Sequence, residues 1–175
     1  SGRLLAKKIT GHSNFEDAAE FIKAGGQKGR QLEILMPGTY RINTMMFKVD
    51  TKNPWIEISA ENVGIVTVLE GDPITDPSKI AADPIDLNKH KNFQDASLYI
   101  AEGGQKGLQI PVLRSGNYII NPWFASVKIV PMTIVEIGTC VVVTSFVGDE
   151  GVDTTDSNVN AKIVANGCKG IWKEP

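Results

Sequence analysis

The sequence predicts an α+β protein that is mainly β, built as two tandem repeats, each a small sheet or barrel of about five short strands with one short helix. Three observations lead to this fold class. A long segment occurs twice, each copy holds one stretch with helical apolar spacing, and short β-branched runs are separated by glycine and proline turns. The connections between the runs are too short for βαβ crossovers, which favours antiparallel sheets.

The repeat is the strongest signal in the chain. The segment that begins at Gly11 recurs from Lys89, an offset of 89 − 11 = 78 residues, and both copies contain the motif GGQKG. Further pairs that match at this offset are His12/His90, Asn14/Asn92, Phe15/Phe93, Asp17/Asp95, Gln31/Gln109, Tyr40/Tyr118 and Asn43/Asn121.

The repeat sets the predicted domain boundaries. The similarity continues more loosely from Asn62 to Thr139, an offset of 139 − 62 = 77, and AKIVANGCKG from Ala161 resembles EFIKAGGQKG from Glu20. We therefore expect one repeat unit in residues 1–74, a second in 75–156 and the start of a truncated third in 157–175. The alternative is a single merged sandwich of ten strands.

One short helix is predicted in each unit. In the first unit Asn14 is a suitable N-cap, with Asp17 three residues later to face the free amides. The apolar residues that follow at helical spacing are Phe15, Ala18, Ala19 and Ile22. Glycine pairs then supply the backbone freedom that ends a helix. The predicted cap and turn positions of both units are Asn14, Gly25, Gly26, Gly38, Asn92, Gly103, Gly104 and Gly116.

The strands of the first unit are predicted from apolar and β-branched runs. A largely buried strand is expected from Leu32 to Met36, followed by a turn at Pro37-Gly38 and a second strand from Tyr40. The remaining strands are expected at residues 55–59, 63–69 and 3–9, the second of these being rich in β-branched residues.

Composition narrows the functional class. The chain has 175 residues, 42% hydrophobic and 22% charged, with 18 basic against 20 acidic side chains. These proportions are typical of a folded protein and give no basic surface for phosphate backbones, so we expect no nucleic acid partner. No stretch approaches the ~20 apolar residues of a membrane helix. No catalytic constellation, cofactor site or small-molecule substrate is identified.

The two cysteines do not indicate a disulfide framework or a zinc site. Cys140 and Cys168 lie 28 residues apart (168 − 140) without a CxxC pair, which favours two small thiols that are buried or half-buried.

Two repeated features resemble functional motifs but are better explained by folding. GGQKG lacks the spacing of a phosphate loop and follows a helix instead of opening one, so it is interpreted as a cap and turn. His12 and His90 precede the helices without a second ligand or a nucleophile nearby, so we expect a role at the helix entry.

Two features are kept as ligand candidates. Trp123 could stack on a sugar, although an aromatic residue at the start of a strand is more often core. The acidic stretch 148–156 could bind calcium, but it lacks the usual D-x-D-x-D-G pattern and is better read as a solvated loop. Its candidate ligands are Asp149, Glu150, Asp153 and Asp156.

Several of these motifs resemble a known family. PGTYRIN and VGIVT with a following glycine, their second copies SGNYIIN and VVVTSFVGDEG, and the paired GGQKG elements are similar to the extra-membrane region of bacterial SPFH/Band 7 proteins, which are flotillin- and prohibitin-like. KGIWKEP is similar to the beginning of a further element of this kind. The resemblance covers nearly the whole chain.

The resemblance implies a non-catalytic function. It implies a structural and interaction module of a membrane-associated scaffold, acting in oligomeric assembly and in the organisation of membrane microdomains. The implied partners are further copies of the full-length protein and a membrane, reached through segments absent from this sequence. The side of the membrane is not implied. A ligand-binding β module for a sugar, a lipid headgroup or a metal is the alternative.

Overall fold

The computed structural model describes residues 5–76 and 79–148, together with the backbone of two short strands at 163–164 and 170–172. Two helices and nine strands are assigned within these residues, in an α+β arrangement that is mainly β. They are α1 Ala18–Lys23, β1 Ile56–Ile58, β2 Asn62–Val68, β3 Ala81–Ala82, α2 Ala96–Ala101, β4 Gly107–Leu113, β5 Gly116–Tyr118, β6 Ala125–Pro131, β7 Thr144–Ser145, β8 Ile163–Val164 and β9 Gly170–Trp172.

The chain divides into two compact units. The larger one contains residues 1–74 and 82–131, and the smaller one contains residues 75–81 and 132–175. The four-stranded sheet has the order β3-β4-β2-β6, a separate pair joins β1 to β5, and the order β7-β9-β8 forms a third sheet. No closed barrel is found among the described residues.

The strand pairing crosses the sequence boundary expected at residue 74. β2 comes from the first sequence unit, yet it lies antiparallel between β4 and β6, which come from the second. β1 likewise pairs with β5 of the second unit. Each of these sheets therefore combines the last strands of one sequence unit with the first strands of the next.

β2 forms along residues 62–68, as the β-branched run predicts. One face carries Gly64, Val66 and Val68, all buried, while the residues between them are only partly buried. Complete burial of an aliphatic side chain such as Val66 stabilises the fold by roughly 1.5–3 kcal/mol. The core cluster around this strand includes Ile58, Phe93, Tyr99, Leu113 and Phe124.

The helices begin later than the sequence predicts. Asp17 is the N-cap of α1 and accepts from the Glu20 amide, while Asp95 caps α2 in the same way. Asn14 and Asn92 are not N-caps, because each lies in a turn with positive φ, 56° and 55° respectively.

The buried face of α1 also differs from the predicted one. Phe21 is 7% exposed, whereas Ile22 is 62% exposed. Because α1 has only six residues and starts at Ala18, Phe15 lies outside it. The predicted spacing from Phe15 to Ile22 therefore does not define a single helix face.

The strands expected in the first 54 residues do not form. Within 5–54 the described chain contributes one isolated bridge, from Ala6 to Gln31, and no strand. The counterparts of residues 29–35, 38–40 and 47–53 in the second sequence unit are β4, β5 and β6. The two sets of segments differ in whether a partner strand is present. β4 and β6 pair with β2, and β5 pairs with β1, whereas residues 29–53 have no partner strand among the described residues.

Candidate functional site

The two sequence copies fold into the same turn before each helix. Three consecutive residues have positive φ in both copies, namely Ser13, Asn14 and Phe15 and then Lys91, Asn92 and Phe93. The ring Nδ1 of His12 accepts from the Phe15 amide at 2.9 Å, and that of His90 accepts from the Phe93 amide at 2.9 Å. Both histidines therefore hold the helix entry.

The side chain of His90 is fully buried. It is 0% exposed, and its Nε2 has no hydrogen-bond partner among the described residues. Its ring packs against Phe93 at 4.6 Å and Tyr99 at 5.1 Å between centroids. Burial lowers the pKa of His90 because the charged imidazolium would lose its hydration.

GGQKG ends each helix in a Schellman motif. Gly25 and Gly103 have φ of 81° and 77°. The amide of Gly25 donates to the Ile22 carbonyl and that of Gly26 to the Phe21 carbonyl, and the second copy repeats both bonds.

A glutamine that follows GGQKG closes the turn, a role that the sequence did not reveal. Nε2 of Gln109 donates to the carbonyls of Gln105 and Gly107, and Nε2 of Gln31 makes the equivalent bonds in the first copy. The recurrence of this glutamine at the repeat offset was the available signal. Carbonyls of the motif are thus bonded within the chain, which is consistent with a cap and turn.

Further paired contacts show that the local geometry is duplicated up to Asn43 and Asn121. The hydroxyl of Tyr40 donates to the Met36 carbonyl at 2.7 Å, and that of Tyr118 donates to the Arg114 carbonyl at 3.0 Å. Gly38 and Gly116 lie beside these two tyrosine rings.

Asn43 and Asn121 begin equivalent turns. The Asn43 carbonyl accepts from the Phe47 amide at 3.0 Å, and the Asn121 carbonyl accepts from the Ala125 amide at 3.0 Å. Residue 125 begins β6, so residues 47–53 leave an equivalent turn without forming a strand. We call residues 47–53 the acceptor segment.

The acceptor segment is accessible along its length. All its residues are exposed except Phe47, which is half-buried. The Phe47 ring packs against Phe21 with 5.1 Å between centroids and against Phe15 with 5.5 Å. Phe47 therefore packs against other residues of the larger unit, while residues 48–53 face solvent.

A second accessible segment lies in the smaller unit. Residues 139–145, the sequence counterpart of β2, are called the donor segment. Val141, Val142 and Val143 are 51%, 74% and 50% exposed, whereas Val66, the β2 counterpart of Val143, is fully buried. Only its last two residues, which form β7, belong to a strand.

β7 and β9 reproduce part of the β2–β4 pairing. Thr144 lies opposite Ile171 and Ser145 opposite Gly170. In the larger unit Thr67 lies opposite Leu108 and Val68 opposite Gly107. The sequence offsets align these pairs, since 144 − 67 and 145 − 68 both equal 77, while 171 − 108 and 170 − 107 both equal 63. Two residue pairs at the end of the β2–β4 pairing therefore have counterparts, at constant sequence offsets, in β7 and β9.

The ligand candidates are not assembled into a site by the described residues. Trp123 is 38% exposed rather than core, and the Arg30 guanidinium lies 4.9 Å from the centre of its ring. Arg30 thus occupies one face that a sugar would need. Phe124 is the buried aromatic at this point. Asp149, Glu150, Asp153 and Asp156 lie outside the described residues, as does Cys168, while Cys140 is exposed.

The described part of the chain contains no metal-binding cluster, and its cleft does not favour a ligand of one charge. No group of three or more His, Cys, Asp or Glu side chains is placed to hold a metal ion there. An open cleft of about 470 Å³ is lined by Lys8, Glu33, Lys91 and Asp95, so its charges are mixed in sign. Neither described helix has the length and apolar content of a membrane span.

Comparison of the chain with protein-family models, curated proteins and solved structures gives no match. The duplicated geometry and the two accessible segments are the structural features that bear on function.

Proposed function

We propose that the protein is a non-catalytic structural and interaction module of a membrane-associated SPFH-type scaffold, acting in oligomeric assembly and microdomain organisation. The observation that supports assembly is the insertion of β2, from one sequence unit, between β4 and β6 of the next. Strands that complete a neighbouring unit's sheet provide a natural means of joining units. Membrane attachment and microdomain organisation are supported by the sequence resemblance alone.

The exposed surface also supports assembly. The donor segment and the residues before and after it expose large apolar side chains, which are costly to leave in water and mark interaction surfaces when they are contiguous. Besides the three valines, they include Ile134 (82% exposed), Ile137 (106%) and Phe146 (74%).

Self-association is the direct test of this function. Multi-angle light scattering over a concentration series should give a weight-average mass that rises above the 19.0 kDa of one chain. A mass that stays at 19.0 kDa across the series would contradict the assembly function.

A further inference from the structure

We infer that the donor segment, residues 139–145 of one copy, pairs antiparallel with the acceptor segment, residues 47–53 of a second copy. The inference rests on the proposed assembly function and names the surfaces that carry it. The occupant of each segment is a second copy of this chain.

The template for this pairing lies within the chain. β2 and β6 are antiparallel over seven residue pairs, from Asn62 opposite Pro131 to Val68 opposite Ala125. The donor segment is the counterpart of β2 at an offset of 77, and the acceptor segment is the counterpart of β6 at an offset of 78. Both counterparts are therefore present, and no described strand pairing joins one to the other.

The template also sets the register. Adding 77 to a β2 residue and subtracting 78 from its β6 partner places Thr139 opposite Asn53 and Val143 opposite Val49. The pair Val63–Val130 becomes Cys140 opposite Lys52. This last pair places a natural thiol at a defined position in the contact.

The strand edge that the donor segment would use follows from β7 and β9. β2 uses one edge for β4 and the other for β6. Thr144 and Ser145, the last two residues of the donor segment, already pair with β9 in the register of β2–β4, so the remaining edge of the segment is the one that β2 gives to β6. The acceptor segment can therefore add without displacing β9.

The backbone turn and the packing at the start of the acceptor segment favour this contact. It leaves the Asn43 turn just as β6 leaves the Asn121 turn, and Phe47 is held against two aromatic rings. Pairing would satisfy backbone groups along both edges and cover the donor valines. Since the two segments differ, the contact is heterologous and can continue from copy to copy as an open chain.

Cross-linking between two distinguishable chains tests the register. The donor chain carries Cys168→Ser and keeps Cys140, and the acceptor chain carries Lys52→Cys, Cys140→Ser and Cys168→Ser. Each chain then has a single cysteine, so a mixed disulfide formed on mild oxidation joins one donor chain to one acceptor chain. Tags of different size distinguish this product from disulfides between two donor chains or two acceptor chains. Direct antiparallel neighbours have Cβ atoms about 4.5–5.5 Å apart, close to the separation that a disulfide needs.

The matched control is an acceptor chain with Thr51→Cys in place of Lys52→Cys, because adjacent strand residues point to opposite faces. We expect the mixed disulfide to form several-fold faster with the thiol at position 52 than at position 51. Light scattering on the same unoxidised samples should show a mass above that of a single chain.

The possible outcomes separate the two proposals. Self-association with equal cross-linking at positions 51 and 52, or with disulfides only between donor chains, would overturn the register while the assembly function stands. Samples that remain single chains at every concentration would overturn both. Preferential cross-linking at position 52 in samples that self-associate supports both.

Discussion

His12 and His90 occupy the same turn, and their surroundings differ at the second ring nitrogen. Nε2 of His12 lies 3.0 Å from the Ile9 carbonyl, whereas Nε2 of His90 is buried without a hydrogen-bond partner in the described structure. A protonated His90 would therefore place a charge among apolar rings. Burial is the dominant influence on the imidazole and lowers the pKa of His90.

This lowered pKa predicts how stability depends on pH. His90 is protonated more readily in the unfolded chain, whose histidine pKa is 6.5, than in the folded one. The stabilisation is therefore fully present above pH 6.5 and is lost as pH falls through the folded pKa. Urea unfolding should show this loss in the native chain and a smaller loss in His90→Asn, which does not titrate. If His90→Asn keeps the full pH dependence, His90 is not its source.

Asn121 connects residues 31 and 32 to the turn before β6. It is 5% exposed, its Nδ2 lies 3.1 Å from the carbonyls of both Gln31 and Leu32, and its Oδ1 accepts from the Trp123 amide at 2.9 Å. The repeat identifies this residue only as a match to Asn43, which is exposed.

The matched pair gives a stability prediction. Asn121→Ala should lower the free energy of unfolding by about 1–3 kcal/mol, because it leaves buried carbonyls without donors. Asn43→Ala should cost about 1 kcal/mol or less, because its Oδ1 contact with the Met45 amide is exposed. Chemical denaturation of both variants measures the difference. Equal losses would contradict the connecting role of Asn121.

At the scale of elements, the sequence predicts what depends on local chemistry. β2 forms where its β-branched run predicts, and the glycines after each helix adopt the positive φ that a Schellman motif requires. The start of α1 could not be predicted from composition, because Asn14 and Asp17 are both good caps. The hydrogen bond from the Phe15 amide to His12 fixes the preceding turn, which leaves Asp17 as the cap.

The strands expected after α1 show the limit of local patterns. Residues 29–49 share much of the apolar pattern and the turns of residues 107–127, and they repeat several of the same hydrogen bonds. What they lack among the described residues is a strand in the position of β2. Sheet formation depends on that partner, and no property of a segment's own sequence reports whether the partner is present.

At the scale of the whole molecule, the boundaries of the sequence repeat do not coincide with those of the sheets. The sequence copies begin at the turn before each helix, whereas a sheet begins with the last strands of the preceding copy. The candidate surfaces follow from this shift, since within the described residues no strand pairs with the acceptor segment and none occupies the second edge of the donor segment. The motif VVVTSFVGDEG overlaps the donor segment, but its residues do not indicate an unpaired edge, and residues 47–53 contain none of the motifs found in the sequence.

Amide hydrogen exchange at two protein concentrations tests the account most directly. Strand pairing slows exchange, so β2 and β6 should be protected at both concentrations. The acceptor and donor segments, residues 47–53 and 139–145, should exchange quickly at low concentration and become protected together as the light-scattering mass rises. Exchange in these two segments that stays fast while the mass rises would contradict strand pairing between copies.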